Sequence, residues 1–233
     1  MITIRRIATS LLLASLAMVT TPALHAQPKP GHLDGVLRQM DEASLKFQSA
    51  EAVIRRDNYE RVVKETTTQT GTIYFKKQNG STVMGMKLIT PSVTIVEFRN
   101  GVVRVFDPGT NHLTIVNAEK NKAQFESFLT LGFGGSGTDL AKAWKISDLG
   151  DEVVDGVQTA KLDLVPKDPA VLANCTHMTI WVDPLRAVEL KQSLYEPSGD
   201  YQTAVYTNIK YNQRVDEKPY QINTNNQTTR DIH

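Results

Sequence analysis

Cysteine is nearly absent. Cys175 stands alone among 233 residues, which excludes an intrachain disulfide framework and any Cys-rich zinc or iron–sulfur site. Stability must therefore come from a packed core. Neither sign of charge is in excess, with 26 Lys+Arg against 25 Asp+Glu, so the broad basic surface of a nucleic-acid-binding protein is missing. Long apolar runs are missing too. The longest, Ile7 to Val19, has 13 residues, against the roughly 20 that a membrane-spanning helix needs. There is no internal repeat, no extended Ser/Gly/Pro linker and no block of like charge to mark a domain boundary.

What the first residues do contain is the pattern of a secretory signal peptide, expected over residues 1–26. Arg5 and Arg6 precede the apolar run, and Pro22-Ala23-Leu24-His25-Ala26 supplies an exit with cleavage after Ala26. The next residue is Gln27, not Cys, so no lipid anchor is expected and the mature chain belongs in the periplasm. Without Arg5 and Arg6 it carries 24 basic and 25 acidic side chains, a formal charge of −1, which offers a membrane surface no electrostatic hold. Residues 27–212 are expected to form a single domain. The polar segment 213–233, centred on Asn223-Thr224-Asn225-Asn226-Gln227-Thr228-Thr229, is expected to be a loose tail.

Between those ends the dominant period is two. Thr72 to Lys77 alternates, Asn79-Gly80 is the dipeptide best suited to a tight hairpin, and Val83 to Ile89 resumes the alternation. Val93 to Arg99, Asn100-Gly101, Val102 to Phe106, the turn Asp107 to Asn111 and His112 to Val116 repeat that grammar, which makes a five-stranded meander. Val153-Val154 and Val157 to Val165 flank Asp155-Gly156 as another hairpin, followed by strands His177 to Val182, Ala187 to Tyr195 and Tyr201 to Tyr211. The turns are short, so the sheet is antiparallel. Segment Ser49 to Thr68 is compatible with strand or helix.

Two stretches have the helical period instead. Leu33, Val36, Leu37, Met40, Ala43 and Phe47 form one apolar stripe. A second helix is expected from Ala118 to Leu131, with Asn117 as N-cap, Phe125, Phe128 and Leu129 on one side and Gly132 as its stop. A short third helix is expected over Thr138 to Trp144. The resulting fold class is α+β, mainly β: a curved antiparallel sheet of about ten strands, an unclosed β-barrel, with two or three helices covering its concave face. Either the apolar layers pack directly or they enclose a hydrophobic pocket. In the second case Met84, Met86 and Leu88 face Met40 and Phe47 of the first helix and Phe125 and Phe128 of the second. Leu37, Ile73, Phe75, Val96, Phe98 and Leu129 complete the expected lipid-binding set. Methionine suits walls that adapt to floppy chains, because its unbranched thioether repacks at little cost.

These features together resemble the periplasmic outer-membrane lipoprotein carrier family, the LolA-like proteins. Gly71-Thr72-Ile73-Tyr74-Phe75-Lys76-Lys77, then Phe98-Arg99-Asn100-Gly101-Val102-Val103-Arg104-Val105-Phe106-Asp107-Pro108, and later Leu162-Asp163-Leu164-Val165-Pro166-Lys167, are similar to its strand and turn signatures over about Leu33 to Tyr211. The resemblance implies a carrier of lipoprotein acyl chains, or of another lipid, moving toward the outer membrane as a monomer. It also implies an inner-membrane lipoprotein-releasing complex as donor and an outer-membrane acceptor. The family places an Arg after its second strand that bonds the helical lid; Lys77 occupies that place here, as a point donor rather than a planar fork. The alternative from a different class is an envelope sensor or regulatory binding module with the same fold.

Catalytic patterns are weak. Gly132-Phe133-Gly134-Gly135-Ser136-Gly137 matches the dinucleotide fingerprint by letter, but it follows an expected helix, not a strand, and belongs to no βαβ unit; it is expected to be a flexible joint. His32, His112, His177 and His233 are far apart, and Cys175 with His177 lacks a recognisable third group. Asp151, Glu152 and Asp155 are turn carboxylates. No enzyme, no metal, no cofactor and no nucleic-acid partner are expected.

Overall fold

The strands close their hairpins where the backbone can turn left-handed. In the computed structural model, which describes residues 31–117 and 131–232, Asn79-Gly80, Asn100-Gly101 and Asp155-Gly156 all have both φ values positive, between 49° and 79°. That is the type I′ geometry whose twist matches the flanking strands.

The chain begins with helix α1 (His32–Lys46), then β1 (Ser49–Glu60), β2 (Glu65–Gln78), β3 (Ser81–Thr90), β4 (Thr94–Arg99), β5 (Val102–Asp107) and β6 (His112–Asn117). After the undescribed residues come α2 (Gly137–Ala143), β7 (Trp144–Val154), β8 (Val157–Pro166), α3 (Pro169–Leu172), β9 (His177–Asp183), β10 (Val188–Tyr195), β11 (Tyr201–Tyr211) and β12 (Thr229–Ile232). All strands join one sheet in the order β12-β6-β5-β4-β3-β2-β1-β11-β10-β9-β8-β7. Every pair is antiparallel except β12 with β6. The ends β7 and β12 do not meet, so the barrel stays unclosed.

Among the described residues the sheet has twelve strands rather than about ten. The ambiguous segment forms β1 and the start of β2. Its period is weak because the inner face of β1 is apolar only at Ala50, Ala52 and Ile54 and turns polar at Arg56 and Asn58. A bulge against β11 between Glu51 and Val53 further blurs it. Trp144 opens β7 instead of ending a helix, and Ser136 caps α2 by accepting a hydrogen bond from Asp139 N at 3.1 Å. The expected signal peptide and the expected helix Ala118 to Leu131, except Leu131 itself, lie outside the described residues.

The inner face carries two adjoining clusters. On one half, α1 and α2 lie over β7–β9, where Val36, Met40, Leu140 and Trp144 pack on Leu162, Leu164, Met178 and Ile180. The helices approach closely at Gly137, where a Cβ would sit 2.2 Å from Leu37 O, and Asp41 binds Thr138 through both backbone N and hydroxyl at 2.8 Å. On the other half, β1–β4, β10 and β11 present a second apolar cluster that no described helix covers along its length.

The expected loose tail is instead bound to the outer face. Tyr220 is buried edge-on against Tyr74, with ring centroids 4.8 Å apart. It lies over Gly85, where a Cβ would meet Tyr220 Cβ at 2.8 Å. Glu217 accepts from Lys76 at 2.8 Å and Arg99 at 2.9 Å, and Tyr220 donates to Glu51 at 2.9 Å. The segment is polar because it lies on the polar side of the sheet and is held there by hydrogen bonds around one aromatic anchor. Truncating that anchor, Tyr220→Ala, is expected to cost about 3 kcal/mol in urea unfolding; a change within about 0.5 kcal/mol would mean that the tail is not part of the folded unit.

At the start of α1, His32 Nδ1 lies 2.7 Å from Asp148 and Nε2 3.1 Å from Asp151. A cation at a helix N-terminus opposes the macrodipole, so these carboxylates reverse the local preference. The hydrogen bond to Asp148 raises the imidazole pKa above its ordinary 6.5. The stabilisation is complete below 6.5 and is lost as pH rises through the raised value. Partly exposed, it is worth at most about 1 kcal/mol. The stability difference between the wild type and His32→Gln, measured by urea unfolding, should shrink across that window; a constant difference from about pH 5 to about pH 9 would contradict the assignment.

Candidate functional site

Cross-strand register assembles most of the expected apolar set. Ile73, Met86 and Val96 lie abreast across β2, β3 and β4, and Phe75, Met84 and Phe98 form the next row. With Leu88 and Phe47 they belong to one buried cluster. Met40 and Leu37 do not join it: α1 points both toward β7–β9, and only its C-cap, Phe47, belongs to the cluster that holds Met84 and Met86. Phe125, Phe128 and Leu129 lie outside the described residues.

Met84 and Met86 are buried, and Phe47 and Phe133 belong to the same cluster. The Phe133 ring stacks on Phe75 with centroids 4.2 Å apart and meets Tyr206 edge-on at 5.0 Å. Its loop is seated on the sheet by a bridge to Val188 and by Gly134 N donating to Ala187 O at 2.8 Å. The glycine-rich run is therefore neither a phosphate cradle nor a free joint. Gly132 and Gly134 have φ near +75°, and a Cβ would sit 2.5 Å from Glu189 Cβ at the first and 2.2 Å from Phe47 Cδ1 at the second. Glycine is required there because the backbone lies directly on those side chains.

Beside this seat opens a cleft of about 840 Å³, within the range of about 300–1,000 Å³ usual for ligand pockets. Its apolar lining comes from Met40, Leu131, Leu140, Trp144 and Val171, and its polar residues include Lys77, Asp139, Lys142, Lys167 and Asp168. Lys77 borders it at the end of β2. The Lys77 ammonium donates to Ser44 O at 2.6 Å and its backbone N donates to Gln48 O at 2.8 Å. A cation near the last carbonyls of α1 is favourably placed against the helix dipole. The Lys thus makes one point contact to a helix carbonyl.

Glu189 is the residue that the alternation conceals. Period two along β10 pairs Glu189 with Lys191 on the outer face, but a bulge lies between them. Glu189 consequently opposes Val182 and Gln192 opposes Ile180, and both partners are inward. The Glu189 side chain is wholly buried, and neither carboxyl oxygen has a hydrogen-bond partner. Burial pushes its pKa well above the carboxylate range. Burial also raises the Tyr206 phenol, which the Glu189 charge raises further and Arg56 opposes. Farther along the inner face Gln69 accepts from Arg56 Nε at 2.7 Å and from Asn58 at 3.1 Å, and Gln202 donates to Asn58 at 2.8 Å. The inner surface is thus apolar at its centre and polar toward the β1–β2 turn.

The remaining candidates have structural partners. His177 Nδ1 lies 2.7 Å from Asp163 and its ring stacks on Tyr195 at 4.3 Å. Cys175 directs its thiol at the His177 carbonyl, 3.5 Å away, and burial pushes that thiol up to about 11. Among the described residues no group of three or more His, Cys, Asp or Glu is arranged to hold a metal.

No family model and no curated protein matches this sequence. Solved structures do match in three dimensions. MucB aligns with TM-score 0.52 and 15% identity over 82% of this chain and 62% of its own, so the chain spans less than two thirds of MucB. An uncharacterised conserved protein from Thermus thermophilus aligns with TM-score 0.53 and 9% identity over 86% of this chain and 98% of its own. A domain from Vibrio parahaemolyticus described as an outer membrane lipoprotein-sorting protein aligns with TM-score 0.43 and 11% identity over 81% and 97%. At such identities the likeness is one of fold. With its unclosed antiparallel sheet and helices laid across the inner face, the chain shares the fold of MucB and of the Thermus thermophilus protein.

Proposed function

We propose that this chain is a non-catalytic lipid carrier of the periplasm, which shelters acyl chains of lipoproteins or of another lipid on its inner face and moves them toward the outer membrane. One observation supports this reading above the others. The central apolar face is covered by Phe133 on a loop rather than by a described helix, and the loop borders an open cleft. At about 0.8 kcal/mol per buried CH₂, a chain of about 16 carbons loses on the order of 12 kcal/mol when pulled from lipid into water. A carrier must replace that shelter. Phe47 and Phe133 share the cluster of Phe75, Met84 and Met86, and an acyl chain would take over the contact that Phe133 makes with Phe75. The adaptable thioethers lie where the occupant changes. A donor complex in the inner membrane and an acceptor at the outer membrane would complete the route.

The second reading, an envelope sensor or regulatory binding module, is favoured by the same two rings, because a face already filled needs no lipid to be stable. Delivery separates the two. A carrier loaded with a fluorescent fatty acid should pass it to acceptor vesicles, whereas a sensor should retain it. Met86→Glu should weaken uptake at least about tenfold by placing a carboxylate in an apolar wall. Phe133→Ala should strengthen it by vacating the seat. Unchanged uptake in both variants, with folding retained, would place lipid elsewhere; no uptake by the wild type and no lipid in organic extracts would end the lipid reading.

A further inference from the structure

The buried Glu189 carboxyl has no hydrogen-bond partner and no role in the reading above. The Glu189 carboxyl lies beneath Gly132 and beside the cluster containing Phe133, Val188, Leu190 and Tyr206. The loop offers Gly132 and Phe133, and β9 offers Val182, none of them titratable. The titratable groups facing it are the Tyr206 phenol from β11 and, beyond it, the Arg56 guanidinium from β1. Arg56 already binds Gln69. An apolar wall with a single carboxyl leaves that group unsatisfied both in the resting state and under a plain hydrocarbon, a loss that a carbonyl-bearing ligand would recover.

We propose that Glu189 is the polar anchor of the acyl site: once the Leu131–Gly134 loop yields, its carboxyl O–H donates a hydrogen bond to the carbonyl oxygen of an ester- or amide-linked acyl chain. This rests on the lipid-binding reading and adds a ligand class to it, acylated compounds over bare hydrocarbons. The acid is suited to donation because burial keeps it protonated. A cationic ligand is disfavoured, since an ammonium would lose its hydration within reach of the Arg56 charge.

The test is displacement of a bound fluorescent fatty acid from the full chain by methyl palmitate, by octadecane and by hexadecylamine. The wild type should bind methyl palmitate about tenfold more tightly than octadecane, as expected for one buried hydrogen bond made or lost. Glu189→Gln keeps a donor and should retain the preference; Glu189→Leu should abolish it while still binding both chains. Glu189→Met replaces the Leu variant if that one does not fold. A second readout follows the acid itself. Wild type and Glu189→Gln should be equally stable below the ordinary carboxylate range. The wild type should then lose ground as pH rises above it, because only the unfolded chain releases that proton freely. Retained ester preference in Glu189→Leu, or tighter binding of hexadecylamine than of methyl palmitate, would overturn the anchor and leave the lipid site standing. Failure of the wild type to bind any of the three would overturn both.

Discussion

An open curved sheet has a wide apolar inner face, of which the described helices cover one half, and the rest of the molecule follows from how that face is hidden. At roughly 25 cal/mol per Å² of apolar surface, leaving the rows of Ile73, Met86 and Val96 or Phe75, Met84 and Phe98 in water would offset most of a small domain's stability. The helices α1 and α2 settle over β7–β9 and lock there through Gly137 and Asp41. Among the described residues, Phe47 at the end of α1 and Phe133 on a loop join the apolar cluster of the other half. One half of the interior is therefore conventional core; the other is the half where the proposed acyl site lies.

That division gives the polar features a common logic. Lys77 ties the end of β2 to the Ser44 carbonyl near the C-terminus of α1, holding the helix whose C-cap is Phe47. The C-terminal strap braces β2 and β3 from outside through Tyr220, Tyr74 and Gly85, so β3, which bears Met84 and Met86, is supported on its outer face. The open cleft lies beside the loop that carries Phe133.

Much of this is legible in the sequence, and the exceptions have physical causes. Asn79-Gly80, Asn100-Gly101 and Asp155-Gly156 announce their hairpins because type I′ turns need residues that tolerate positive φ. The inward face of β2–β4 is legible because unbroken alternation fixes register. Glu189 is not, since a single bulged residue exchanges the two faces of β10 and periodicity carries no sign of a bulge. β1 is obscured by an inner face that changes from apolar to polar halfway along. The tail reads as a loose end because its anchoring is done by scattered hydrogen bonds and one tyrosine, which composition does not distinguish from solvation. The helical stripe of α1 is plain, but its target is not: a period says which residues share a face, not which half of a sheet that face will meet.

The central claim is that Phe133 holds a place which an acyl chain can take. The Gly134 amide, which donates to Ala187 O only while the loop is seated, reports on it most directly through hydrogen exchange with and without bound methyl palmitate. Loss of protection at Gly134 on loading, with β8 and β9 amides unchanged, is the predicted result. Full protection at Gly134 in the loaded protein would contradict it.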